Sequence, residues 1–351
     1  MLVLGIESSC DETAAAVVQD GSHILSNVVF SQIDVHREFG GVVPELASRK
    51  HIEVIAPVIT QALKQADITP RQVEGIGVTR GPGLIGSLLV GIAAAKGMSL
   101  ALHRPLCGVN HLHGHLFAIF LERRDIRFPF VGLVVSGGHT SLYHVKGPFE
   151  ISVIGRTRDD AAGEAFDKVA KLLGLGYPGG AIIEKHAHGV DAAGLQLPRA
   201  LMNGDSLDFS FSGLKTAVLR QVEEMCGVSR RTERPGSFHP LVSAKMTTDV
   251  RNRVRTIAAA FQSAVVDVLV AKGLKAAERY GCGQLVVCGG VAANSALREK
   301  MFAESGRRHI ETVFPSMPLC TDNAAMIAAR ADVLLEAGLM DALDFDAKSR
   351  W

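Results

Sequence analysis

Three strand-like apolar runs open the chain, at Leu2–Ile6, Thr13–Val18 and Ile24–Phe30. A helix is predicted from about Val43, with Pro44 suited to its first turn and Pro57 placed to kink or end it. A strand at Gly75–Thr79, a small-residue helix at Leu84–Leu102, a strand at Leu106–Val109 and a short histidine-bearing helix follow. The same order begins again near Phe130. Strands are predicted at Val131–Val135, Thr140–Val145 and Ile151–Ile154, then a helix at Asp159–Leu173 and an irregular stretch. A long helix, about Val254–Tyr280, shows Ile257, Phe261, Val265 and Val268 on one face. A strand at Gln284–Cys288, a helix from about Ala293, a strand at His309–Val313 and a last helix from Thr321 complete the pattern.

Repetition in a fixed order implies two related α/β domains facing each other across a central cleft. Three strands followed by alternating helices and strands suit tandem ribonuclease-H-like domains, the actin/sugar-kinase/chaperone (ASKHA) architecture of ATP binders. The expected division is 1–129 plus 322–351 for the first domain and 130–321 for the second. A fold likeness of this kind assigns no activity by itself.

The length of 351 residues suits two domains. A formal net charge of +1 argues against a general nucleic-acid coat protein. The six cysteines form no Cys-x-x-Cys pair and read as reduced thiols of a cytoplasmic protein. The start of the chain lacks the basic region of a signal peptide. Glycines and Lys96 interrupt the apolar run from Leu84 to Leu102, which reads as a buried helix and not as a membrane span.

Asn110-His111-Leu112-His113-Gly114-His115 carries the most specific chemistry. With Asn110 as helix cap, His111 and His115 lie one turn apart on one face, and His113 points elsewhere and packs. Two such imidazoles make half a transition-metal site. A zinc peptidase would carry its glutamate base directly after the first histidine, where Leu112 stands. The pair is therefore a metal anchor without a peptidase base.

Gly81-Pro82-Gly83-Leu84-Ile85-Gly86 satisfies G-x-G-x-x-G, but no Asp or Glu lies between Glu74 and Glu122 to hold a ribose. A tight turn with close helix packing is the better reading. Ser136-Gly137-Gly138-His139-Thr140 is either an ordinary hairpin or a cradle of amides for a phosphate or carboxylate, and the repeat favours the cradle. His139 is taken as structural. At Gly289-Gly290-Val291-Ala292-Ala293-Asn294 a flat ring can lie on glycine backbone while Asn294 caps a helix, reaches a hydroxyl, or does both. In Asp159–Lys168 the acidic residues suit a helix start. Ala162, Phe166, Val169 and Leu173 form its buried stripe, and Asp160, Glu164, Asp167 and Lys171 its solvated face. By its surroundings alone Asp322 is a helix cap. From Lys215 to Arg255, basic residues including Arg230, Arg231, Arg234, Arg251 and Arg253 outnumber acidic ones, as in a solvated loop or a surface for phosphate backbones.

Together these segments resemble the TsaD family of tRNA N6-adenosine threonylcarbamoyltransferases, formerly called the glycoprotease or O-sialoglycoprotein endopeptidase family, over roughly residues 2–335. Gly5-Ile6-Glu7-Ser8-Ser9-Cys10-Asp11-Glu12-Thr13, Gly40–Arg49, the histidine segment, Ser136–Thr140, Asp160–Lys168, Phe209–Lys215 and Thr321-Asp322-Asn323 carry the likeness. The resemblance implies transfer of threonylcarbamoyl from threonylcarbamoyl-AMP to N6 of adenosine 37 in tRNAs reading codons that begin with A. It implies metal ligands at His111, His115 and Asp322, which replaces the cap reading of Asp322. It implies one divalent metal per subunit, Fe(II) ahead of Zn(II). Substrate contacts fall on Val134, Val135, Ser136, Gly137, Gly138, Asp167, Gly180 and Asn294, and catalytic ones on Asp11 and Glu12. Implied partners are tRNA, a paralogous inactive ASKHA subunit (TsaB type) and a small P-loop ATPase (TsaE type), with no membrane. Between Val222 and Arg255 the chain departs from the family pattern, with a longer basic stretch that leaves tRNA contact open. Two rival classes remain: a kinase of the same fold, which needs no histidine pair, and a metallopeptidase, which needs the missing base.

Overall fold

The computed structural model describes residues 1–192, 194–202, 204–226 and 247–351. Arg230, Arg231, Arg234 and the rest of the basic stretch at 227–246 lie outside the described residues. Contacts divide the chain into two units, Met1–Arg127 with Phe314–Trp351, and Phe128–Val313. The return to the first unit falls at Phe314, where 322 was expected. Leu319 belongs to the first unit's core, and the backbone N–H of Ser316 donates to Glu122 at 2.8 Å.

The first unit contains β1 (Leu2–Glu7), β2 (Glu12–Gln19), β3 (His23–Ser31), α1 (Ile33–Arg37), α2 (Pro44–Gln65), β4 (Gly75–Gly81), α3 (Ile85–Leu102), β5 (Leu106–Asn110) and α4 (His111–Phe117). The second unit contains β6 (Phe130–Val135), β7 (Thr140–Val145), β8 (Ile151–Arg156), α5 (Ala162–Leu172), α6 (Gly179–Ala187), α7 (Ser212–Cys226), α8 (Thr248–Arg279), β9 (Gln284–Cys288), α9 (Ser295–Gly306) and β10 (Glu311–Val313). α10 (Met317–Cys320) and α11 (Ala325–Glu336) return to the first unit. The sheet orders are β3-β2-β1-β4-β5 and β8-β7-β6-β9-β10, the same topology twice. In each, the first two pairings are antiparallel and the last two parallel.

Strand periodicity sorts the first unit's core into two layers. Leu4, Ile6, Ala15 and Val17 pack with Ile55, Val58, Leu88 and Ile92 of α2 and α3. Val3, Ala14, Ala16 and Val18 face the opposite way, toward Ala324 just before α11 and Ile327, Ala328 and Ala331 within it. On that side α11 comes unusually close. A Cβ at Gly5 would lie 2.3 Å from the Ala324 carbonyl oxygen, and one at Gly77 2.4 Å from Ala331 Cβ. Only glycine admits this approach.

Several expected elements change. α2 continues through Pro57 because that residue is on the exposed side, where water can serve the carbonyl that its missing N–H leaves open. α3 is only half-buried: Leu88, Ile92 and Ala95 face the sheet, while Ile85, Leu89 and Leu100 are exposed. α5 begins at Ala162, not Asp159, so Asp160 is off the helix face and pairs with Lys168 at 2.6 Å. The stretch expected to be irregular holds α6 and α7. The start of α7 is satisfied from a distance by Asp159, which accepts from the N–H groups of Phe211 (2.8 Å) and Ser212 (3.2 Å). α8 is buried nearly all round, since α6, α7 and α9 cover what the sheet leaves open.

Gly5→Ala is expected to destabilise the fold by about 1–3 kcal/mol, because the new methyl meets helix backbone that cannot rotate away. Denaturant unfolding measures this; an unchanged midpoint would show that α11 is free to shift.

Candidate metal centre and glycine cradle

In the first unit, strand β5 runs directly into α4 through Asn110, whose Oδ1 accepts from the N–H groups of Leu112 (2.9 Å) and His113 (3.2 Å). The cap fixes the first turn, and His111 and His115 project from one side as their spacing predicts. Their rings lie 4.8 Å apart, nearly perpendicular at 82°. Asp322 arrives from the segment before α11, with Oδ1 at 3.1 Å from His115 Nε2 and 3.6 Å from His111 Nε2. One ligand atom from each of the three lies within 4.8 Å of the others. A side-chain bond at the start of α11 comes from Asp322's neighbour Asn323, whose Oδ1 accepts from the Met326 N–H at 3.0 Å.

Two imidazoles and a carboxylate on one side suit a divalent ion with open positions, such as Fe(II) or Zn(II). The buried Nδ1 of His115 has no hydrogen-bond partner among the described residues. Electrostatics set the remaining charges. Burial drives the His111 ring toward neutrality, but Glu7 and Asp322 outweigh it and raise its pKa to about 9. Burial works to raise the Glu7 carboxyl; His111 and the Thr79 hydroxyl reverse this and hold it below the usual range. His113 is lowered to about 4 by burial and by Arg330 and stands outside the cluster.

Asp11 lies on the loop between β1 and β2, and Glu12 is the first residue of β2. Burial, followed by Asp11 and Asp322, raises Glu12 to about 10, so it holds its proton at neutral pH. Ser31 Oγ donates to Glu12 at 3.1 Å. The loop is anchored from α2 by buried His51, whose Nε2–H donates to the Cys10 carbonyl at 2.9 Å while Nδ1 accepts from Thr13 Oγ at 2.7 Å. Glu7, Thr79 and His51 were not singled out from sequence. The available signal for Glu7 was a lone carboxylate ending an apolar strand.

In the second unit, Val134 and Val135 are fully buried in β6 and offer only backbone to a ligand. The turn Ser136–His139 is closed by Ser136 N–H donating to the His139 carbonyl at 2.8 Å, which leaves Gly137 and Gly138 exposed with open space around them. The start of α5 lies against this turn. A Cβ at Gly163 would fall 2.6 Å from the Ser136 carbonyl oxygen. Asp167 Oδ1 accepts from the Gly179 N–H at 2.7 Å and so draws the start of α6, with Gly180 beside open space, to α5. Asn294 caps α9 through Leu297 N–H (3.0 Å), and its Nδ2 donates to Gln262 at 2.9 Å. One of the amide's two N–H bonds is thus used inside the protein. Gln262, on α8, was missed because its partner lies on a different element.

The chain matches the family model described as "TsaD: tRNA N6-adenosine threonylcarbamoyltransferase" over residues 23–329. Proteins named tRNA N6-adenosine threonylcarbamoyltransferase from Syntrophus aciditrophicus and Geobacter metallireducens are each 52% identical over 351 residues, covering 100% of this chain and 97% of theirs. The protein so named from Syntrophobacter fumaroxidans is 52% identical over 353 residues, with both chains fully covered. Among solved structures, component A of (R)-2-hydroxyglutaryl-CoA dehydratase from Acidaminococcus fermentans superposes with a TM-score of 0.55 at 14% identity, covering 95% of this chain and 98% of that one. Full-length HypF gives 0.62 at 12% identity, covering 97% of this chain and 56% of that one. At such identities the likeness is one of fold.

Asn110→Ala should cost about 1 kcal/mol of stability, because two N–H groups at the start of α4 lose their acceptor. Chemical denaturation against the parent protein checks it; no loss would mean that packing alone holds the histidine turn.

Proposed function

The chain belongs to the tRNA N6-adenosine threonylcarbamoyltransferase family, a family of transferases that form t6A in tRNA, and from that premise we propose how its residues divide the reaction. The donor is threonylcarbamoyl-AMP, a mixed anhydride. N6 of adenosine 37 attacks the carbamoyl carbon, a C–N bond forms, the C–O bond to phosphate breaks, AMP leaves and N6 gives up a proton. His111, His115 and Asp322 hold a divalent metal, Fe(II) or Zn(II), which when bound polarises the threonylcarbamoyl group. The observation that carries this reading is the convergence of these three side chains from two distant parts of the sequence. The Asp11–Glu12 pair lies within electrostatic reach of Asp322, and because Glu12 already carries a proton it is the Asp11 carboxylate that accepts the N6 proton.

The second unit holds the adenylate. Exposed amides at Gly137 and Gly138 take the phosphate or the developing oxyanion, and the backbone of Val134, Val135 and Ser136 supports them. Asp167, Gly180 and Asn294 hold the nucleoside. Partners dock on the first unit, where Ile52 on α2 and Ile85 and Leu89 on α3 are exposed beside the seam at which Gly86 meets Ser48. An apolar patch of this kind suits the paralogous ASKHA subunit, which with the small P-loop ATPase completes the active assembly. No disulfide joins the described cysteines, in keeping with a cytoplasmic protein.

The test combines the chain, both partners, ATP, threonine, bicarbonate, the adenylate-forming enzyme and unmodified tRNA. Modified adenosine in the tRNA digest is expected; a phosphorylated small molecule in its place would favour the kinase reading. Asp322→Ala should unfold cooperatively like the parent yet lose both bound metal and transfer. Full transfer by a metal-free Asp322→Ala preparation would remove the metal from the mechanism.

A further inference from the structure

Glu7 lies at the C-terminal end of β1 with no exposure to solvent, where an ionised carboxylate is costly unless its acceptor sites are filled. All the groups facing it are donors. Ser9 N–H approaches Oε1 at 2.5 Å, the Thr79 hydroxyl approaches Oε2 at 2.6 Å, and His111 Nδ1 lies 2.9 Å from Oε2. Ser9 Oγ is a secondary neighbour of the same Nδ1 at 3.3 Å. A carboxylate can only accept, so the ring proton must sit on Nδ1. The other nitrogen, Nε2, then faces Asp322. His115 has no such restraint, since its Nδ1 lacks a partner among the described residues.

We propose that Glu7 is a positioning residue that keeps a proton on His111 Nδ1, so that Nε2, beside His115 and Asp322, is the nitrogen that gives up its proton to a metal ion. The inference rests on the metal reading of those three residues. Glu7→Gln is a sharp test because it changes one acceptor oxygen into an amide donor at nearly constant volume. Ser9 N–H requires an oxygen on its side, so the new NH2 must face Thr79 and His111. The threonine hydroxyl can turn to accept. His111 can accept only by moving its proton to Nε2, where it blocks coordination.

The whole chain, stripped of metal by chelation, is titrated with Zn(II) against a chromophoric chelator, and the ring nitrogens of 15N-labelled histidine are observed by NMR. The parent protein should bind one Zn(II) with His111 carrying its proton on Nδ1. Glu7→Gln should bind 10–100-fold more weakly, with the His111 proton moved to Nε2 and a single cooperative thermal transition retained. Equal Zn(II) affinity in the two proteins, or coordination of the parent's His111 through Nδ1, would overturn the role of Glu7 and leave the metal centre standing. A parent protein that binds no Zn(II) would remove the metal centre and this inference together. Should Glu7→Gln fail to fold, the proton position on His111 in the Zn(II)-loaded parent decides the question alone.

Discussion

The contact on which the first unit depends is the seating of its last helix on its first strand. Gly5 and Gly77 leave no side chains on the sheet surface where Ala324, at the start of α11, and Ala328 and Ala331 within it press against it. Interiors pack like crystals, so a contact this close fixes position as well as burying apolar surface. Asp322 lies just before the helix that is held there. Residues more than two hundred positions apart in the chain thereby acquire a defined separation of a few ångströms.

Around that contact, charged groups stand in surroundings that would reject them singly. Glu7, His111, Glu12 and Asp322 are tolerated because each has a partner of suitable charge or a proton to hold. Such mutual dependence makes the centre sensitive to changes in any member. The second unit solves a different problem by different means. At its hairpin turn it leaves amides uncovered, using glycine both where the start of α5 lies against the turn and where the turn meets open space.

The two sheets repeat one topology, and distant structures with the same architecture include a dehydratase component and HypF. Shared architecture has therefore served several chemistries, and what separates them is the side chains placed at the strand ends. In this chain those ends carry Glu7 as the last residue of β1, the histidine turn after β5 and the glycine pair after β6.

The repeated strand order, the cap at Asn110 and the common face of His111 and His115 can be read along the chain, because each is written in neighbouring residues or in a short period. The sequence also carries the family motifs from Gly5 to Asn323. The place of Asp322 comes from the fold, since a local reading makes it a helix cap although Asn323 makes the bond to the start of α11. The same holds for α7, whose start is satisfied by Asp159 from another segment, and for α3, whose apolar outer face looked like core. Glu7 became legible only when Thr79 and His111 were seen to converge on it. Local hydrogen bonds and periodicity are encoded within a few residues, whereas a buried charge is explained by whatever the fold brings against it.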